Sequence, residues 1–172
     1  IQSLTAPSAL GTPRRAVVGW DTGRLAMILA VLESRSGLAL AGLDVYLNVV
    51  GGLKIGEPAA DLAVAAALIS SVSGVSVPPE TVVFGEIGLS GEVRAVSRVD
   101  ARLKEAAKLG FSHAIIPGQS RAQGNNKKTP EGTMEITEIS RLENLLVLFA
   151  KPVNQRTGPP VAAANARGRG HG

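Results

Sequence analysis

The chain has 172 residues, 45% hydrophobic and 19% charged, with no cysteine and two histidines. That length and apolar content lead us to expect one core of ordinary size. A disulfide framework and thiolate metal sites are excluded, and two histidines in different sequence contexts are not expected to hold zinc. No apolar run approaches the roughly 20 residues needed to span a bilayer and no leader pattern opens the chain, so a soluble, cytoplasmic protein without a membrane partner is expected. The chain starts at Ile1 and runs straight into a strand-like segment, and is read as a piece of a longer protein.

The net charge of +4 suggests nucleic acid until it is located. Lys151, Arg156, Arg167 and Arg169 lie beyond residue 150 with no acid among them, so they carry the whole excess and residues 1–150 are neutral overall. A DNA-facing surface on the folded part must therefore come from charge segregated onto one face.

In chain order, residues 16–20 and 45–50 are short apolar, β-branched runs expected as strands. Between them, residues 21–36 are expected as a helix: Asp21 is the N-cap, Leu25, Ile28, Leu29 and Leu32 recur at helical spacing, and Gly37 stops it. Residues 59–73 form an alanine-rich helix with Leu62, Ala65, Ala66 and Ile69 on one stripe. Its small residues allow close approach of another backbone, so burial is expected; Gly74 ends it, and Pro78-Pro79 forbids helix beyond.

Residues 81–86 are then a strand, 89–92 a hairpin turn and 93–96 the returning strand. Residues 97–109 are a third helix closed by Gly110, with Ser97 and Asp100 at capping-box spacing. Residues 113–116 are a strand stopped by Pro117, 118–132 a polar loop too long for a simple turn, 134–139 the last strand, and 141–149 a short helix capped by Ser140. The whole is expected to be an α/β sandwich with a mixed sheet and packed helices.

From Lys151 onward the Pro, Gly, Ala and Asn content cannot support a core. Two units are therefore expected: a domain over residues 1–150 and a basic, disordered tail over 151–172. Arg167-Gly168-Arg169-Gly170 has the form of an RG-type nucleic-acid contact, against the simpler reading of a solvated terminus.

The segments Gly51-Gly52-Leu53-Lys54-Ile55-Gly56-Glu57-Pro58-Ala59-Ala60-Asp61-Leu62-Ala63 and Gly85-Glu86-Ile87-Gly88-Leu89-Ser90-Gly91-Glu92-Val93 carry the most specific pattern. With the spacing from Gly85 to Pro117, they make the chain resemble the proteolytic domain of Lon proteases. Gly11-Thr12-Pro13-Arg14-Arg15, Gly19-Trp20-Asp21 with Arg24-Leu25, residues 30–38 and Asp44-Val45-Tyr46-Leu47-Asn48-Val49 narrow the likeness. Over about residues 1–150 the chain is similar to the C-terminal Lon-like domain of the RadA (Sms) family of bacterial DNA repair proteins.

Lon peptidases use a serine nucleophile activated by a lysine that must be partly deprotonated. The resemblance puts Ala59 at the nucleophile position and Asp100 at the lysine position, so no catalytic residue is expected and the fragment is read as a pseudo-protease, not an enzyme. Ser90, Ser97 and Lys104 leave a relocated serine–lysine pair open. Glu57, Asp61 and Glu86 offer hard oxygen ligands suited to magnesium, but Asp61 in a helix's first turn and Glu86 at a strand end have ordinary explanations, and no metal is expected.

Arg14, Arg15, Arg98, Arg102, Lys104, Lys108, Arg121, Lys127 and Lys128 are the candidates for phosphate contact. Arg98 with Arg102, and Lys104 with Lys108, are one helical turn apart, while Glu105 lies within ion-pair reach of Arg102. The few aromatic residues sit in apolar runs, so backbone contact is expected in place of base stacking.

The resemblance implies a non-catalytic scaffold that forms a homo-oligomer, a hexameric ring, and contacts single-stranded or branched DNA, with RecA recombinase as a further partner. A RecA-like ATPase and a zinc-binding segment would precede it in the full-length, DNA-dependent ATPase. Cofactors are expected there, as ATP, magnesium and zinc, and none in this fragment, which has no Gly-x-x-x-x-Gly-Lys-Ser/Thr. The alternatives are a residual serine peptidase with a displaced nucleophile and a purely structural oligomerisation domain.

Overall fold

The computed structural model describes residues 1–9, 11–118 and 134–149, so the expected tail, and Arg121, Lys127 and Lys128, lie outside the described residues. The elements are β1 (Gln2–Pro7), β2 (Arg15–Val18), α1 (Thr22–Ser36), β3 (Leu43–Asn48), α2 (Asp61–Ser73), β4 (Thr81–Val83), β5 (Glu86–Ile87), β6 (Val93–Arg94), α3 (Val99–Lys108), β7 (His113–Pro117), β8 (Glu135–Ile139) and α4 (Leu142–Leu148). The chain is mixed α/β.

α1 forms for the reasons its sequence announces. Asp21 Oδ1 accepts the Arg24 amide hydrogen at 2.6 Å, Leu25, Ile28, Leu29 and Leu32 are buried, and Gly37 takes φ +66° so that its amide donates to the Leu32 carbonyl. α2 is entered through a 3-10 turn over Pro58–Ala60, so the α-helix proper starts at Asp61 and not at 59. It is buried on nearly every side, and Thr5 on β1 reaches Ser71 through both its amide and its hydroxyl, at 2.9 and 3.0 Å. The alanines that allow this approach make α2 the central helix of the molecule.

The strands do not form one mixed sheet. β1 pairs antiparallel and β2 parallel with β3, giving one mixed three-stranded sheet; β4, β7 and β8 form a second that is parallel throughout; β5 and β6 are a separate hairpin. The expected strand over 81–86 is broken at Phe84 and Gly85, because the backbone of Gly85 is engaged elsewhere. Its amide donates to the Ala59 carbonyl at 2.9 Å and its carbonyl accepts from Leu62 at 3.0 Å, which fastens the entry of α2 to the sheet.

The parallel sheet is covered on both faces, as parallel sheets require. Ile115 joins the main core with α1, α2 and α4, while Ala114 and Ile116 on the other face meet Phe84 and Leu103 beneath α3. Alternation along β7 thus places α3 on the opposite side of the sheet from the main core.

Two capping expectations are corrected. The Ser97–Asp100 box does not form: Arg98 takes φ +59° as the N-cap of α3, no side chain caps it, and Ser97 and Asp100 are both exposed. α4 is capped at Arg141, whose amide donates to Asn144 Oδ1 at 3.2 Å, and not at Ser140. No described helix is long and apolar enough to cross a membrane.

Candidate functional site

The two motif segments meet through a buried carboxylate. Asp61, with no solvent exposure, accepts from Arg24 Nε at 2.5 Å and Nη2 at 2.6 Å, and from the Ile87 amide at 3.1 Å. Both carboxylate oxygens are satisfied, and α1, α2 and the β5–β6 hairpin are held at one point. Arg24 is held above its usual pKa by its hydrogen bonds to Asp61, against the opposing effect of burial. The sequence marks Asp61 as a first-turn acid; its arginine, 37 residues away, gives no local signal.

Beside this pair an open groove of about 400 Å³ is lined by Arg24, Met27, Ile87, Leu89 and Arg94 among others. Its hairpin wall is organised by Glu92, whose carboxylate accepts from the Ser90 amide at 3.1 Å, from the Ser90 hydroxyl and from Arg94. These bonds, the Ser90 hydroxyl first, pull the Glu92 carboxyl down to about 2. The carboxylate lies over Gly88, in the space a Cβ there would occupy.

Ala59 is buried at the entry of α2, and Asp100 is exposed on α3, its side chain making no ion pair or hydrogen bond among the described residues. The Ser90 hydroxyl is held by Glu92, and no serine–lysine hydrogen bond occurs among the described residues. Glu57, Asp61 and Glu86 are met one by one by Arg102, Arg24 and Arg94, and no group of three potential metal-ligating side chains forms among the described residues.

The basic candidates separate into two regions. On β2 and the turn before it, the Arg15 guanidinium donates to the carbonyls of Arg14, Leu40 and Leu43, fastening the loop before β3 and leaving it little reach; Arg14 is exposed. On α3, Arg102 lies 5.8 Å over the Phe84 ring, donates to the Ser97 carbonyl and pairs with Glu57, not with the expected Glu105. Glu105 instead pairs with Lys108 at 3.3 Å. Arg98 and Lys104 are exposed and make no ion pair among the described residues. The sequence reading omitted Lys54, exposed on the loop that the Glu57–Arg102 pair ties to α3. Its signal was present as a lone cation after two glycines.

A further cluster was also missed. Ser112 Oγ lies 2.8 Å from Glu80 Oε2 and 2.9 Å from His113 Nδ1, and His113 Nε2 lies 3.4 Å from Glu135 Oε2. The order resembles a serine–histidine–acid chain, but a working triad orients its imidazole with a buried acid. Here Glu135 is 77% exposed, and the cluster ties together the starts of β4, β7 and β8.

Residues 21–120, which include both motif segments, match the family model described as subunit ChlI of Mg-chelatase. The chain belongs to the ChlI family. The expectation of a pseudo-peptidase without enzymatic standing is therefore corrected: the frame of residues 51–63 and 85–93 lies within a family named for an enzyme subunit, so the missing serine and lysine do not mark a peptidase that has lost its chemistry.

Among relatives, this ChlI-family chain is 57% identical over 150 residues to the DNA repair protein RadA of Brucella abortus, covering 87% of the chain and 31% of the relative. It is 58% identical over 115 residues to RadA of Rickettsia felis, covering 67% and 26%, and 43% identical over 146 residues to RadA of Halalkalibacterium halodurans, covering 85% and 31%. The chain spans less than a third of the length of these relatives.

Proposed function

We propose that this chain is the C-terminal, Lon-like domain of a RadA-type DNA repair protein, and that it serves recombinational repair in the cytoplasm by contacting DNA and assembling with copies of itself. The observation that carries the reading is 57% identity across 150 residues to a protein named for DNA repair. Under it, residues 1–150 are the domain, 151–172 a basic tail, and the assembly is a hexameric ring. ATP, magnesium and zinc belong to the rest of the full-length protein, which acts on single-stranded or branched DNA with RecA recombinase as a partner.

DNA contact is assigned to the α3 side, through Arg98, Lys104 and Lys54, because these cations are exposed and have no ion pair among the described residues, whereas Arg15 and Arg102 hold the fold together. Such contacts to phosphate are sequence-independent and salt-dependent. Titration of labelled single-stranded and branched DNA at two salt concentrations tests this. Arg98→Ala and Lys104→Ala should each weaken binding uniformly across sequences and lower the salt slope by about 1. Salt-independent binding, or none by the full-length protein when these cations are removed and none when they are present, overturns the reading.

A further inference from the structure

An acid stands among the cations of the α3 side with its carboxylate committed to one of them. Glu57 pairs with Arg102, whose Nε donates to the Ser97 carbonyl at 3.0 Å and whose guanidinium lies 5.8 Å over the Phe84 ring. Arg102 thereby joins three segments distant in sequence: the loop before α2, the turn into α3 and the residue that follows β4. The Glu57 side chain is 50% exposed and that of Arg102 26%. An ion pair so open to solvent adds little to stability, so its effect is on where the neighbouring cations stand.

Those cations flank the pair on both sides. Lys54 lies three residues before Glu57, at most about 11 Å away along the chain, in a loop where Gly51 and Gly52 take positive φ and Gly56 is a third glycine. Glycine-rich backbone has no preferred course of its own. This stretch is held at Ile55, whose amide donates to the Gly19 carbonyl at 2.9 Å, and again at Glu57. On the other side, the Ser97 carbonyl that Arg102 grips leads directly into Arg98 at φ +59°, and the Arg98 carbonyl accepts from the Arg102 amide at 3.0 Å.

We infer that Glu57 is a positioning residue for phosphate contact: by holding Arg102 it fixes the loop of Lys54 against the turn of Arg98, so that both cations meet one nucleic-acid backbone. This role rests on the DNA contact proposed above, and it reverses the sign that charge alone predicts. An acid among cations repels phosphate, so removing it should tighten binding. As a positioning residue, its loss should weaken binding. Asp100 is the internal standard, an exposed acid on α3 whose side chain makes no ion pair or hydrogen bond among the described residues.

The test compares substitutions that remove the same charge. Glu57→Gln keeps an oxygen that can accept from Arg102 and Glu57→Ala does not, whereas Asp100→Asn and Asp100→Ala have no bond to keep or lose. Fluorescence titration of the 172-residue chain with labelled single-stranded and branched DNA at two salt concentrations gives affinity and salt slope. Thermal melting confirms that each variant folds.

Glu57→Gln should bind at least as tightly as wild type. Glu57→Ala should bind more weakly than Glu57→Gln by on the order of fivefold near 0.1 M salt, the worth of one phosphate contact on a single strand, with a correspondingly lower salt slope. The two Asp100 variants should match each other, and in a Lys54→Ala, Arg98→Ala background Glu57→Ala should cost nothing further. Equal binding by Glu57→Ala and Glu57→Gln, or a Glu57→Ala loss that persists in full in that background, overturns the role of Glu57 and leaves the DNA contact standing. A wild-type chain that binds neither DNA at low salt overturns both.

Discussion

Arg24 in the first turn of α1 grips Asp61 in the first turn of α2 through two parallel hydrogen bonds, and Asp61 in turn accepts from the Ile87 amide on the hairpin. The pair replaces a cap for α2: its N-cap, Ala60, has no side-chain acceptor, and the acid one position later neutralises the helix's positive end instead. The groove wall on the hairpin is consequently positioned by a contact between two helices.

Breaking that contact should be severe and asymmetric. Arg24→Ala leaves a fully buried carboxylate with one amide donor, and destabilisation of about 3 to 5 kcal/mol is expected, the range for uncompensated buried charge. Asp61→Ala leaves Arg24 partly in solvent, with side-chain exposure of 27%, and should be milder. Urea midpoints for both singles and the double variant check this, the double falling well short of the sum because the residues act as one unit.

Two glycines should respond differently to alanine. At Gly19, φ is +79° and a Cβ would meet the Val49 side chain at 2.7 Å and the Leu53 carbonyl, so backbone must move. Gly88 is not among the positive-φ glycines, and the atoms nearest its Cβ would be the flexible carboxylate end of Glu92. Gly19→Ala should cost about 2 kcal/mol or more, and Gly88→Ala less, with the loss confined to the Glu92 bonds. Thermal melts rank the pair; equal effects would contradict the close packing at Gly19.

Acid should loosen the hairpin late. The Glu92 carboxyl is drawn from its ordinary 4.5 to about 2 by the Ser90 hydroxyl, backbone and Arg94. A depressed folded-state pKa contributes stability that is present above the unfolded value and lost as pH falls through the folded one. The loss attributable to Glu92 therefore runs from about 4.5 down to about 2. Glu92→Gln should flatten the stability profile in that window relative to wild type, as followed by chemical denaturation at successive pH values.

Much of this was legible locally. Asp21, the leucine and isoleucine spacing and Gly37 announce α1, and the alanines of α2 announce its burial, because caps, periodicity and side-chain size act within a few residues. Gly85 shows where such reasoning stops. Nothing in the apolar run 81–86 says that its backbone groups are taken by Ala59 and Leu62, more than twenty residues earlier. The same limit hid the partners of Arg102 and Asp61 and misassigned Glu105. Ser97-x-x-Asp100 failed for a different reason: the chain turns through Arg98 in the left-handed region before the helix begins, so the serine is never beside the first free amides.

That left-handed Arg98 supplies a test in which stability and binding move in opposite directions. A non-glycine residue at φ +59° is strained, and glycine adopts the same angle freely. Arg98→Gly should therefore stabilise the fold by up to about 1 kcal/mol, the usual gain where native φ is positive outweighing glycine's greater freedom in the unfolded chain. The same change removes an exposed cation from the proposed DNA face. Melting temperature should rise while DNA affinity and its salt slope fall; Arg98→Lys should keep most of the affinity without the added stability. A variant that gains stability and binds DNA unchanged would clear Arg98 of any phosphate contact and leave its backbone angle a matter of turn geometry.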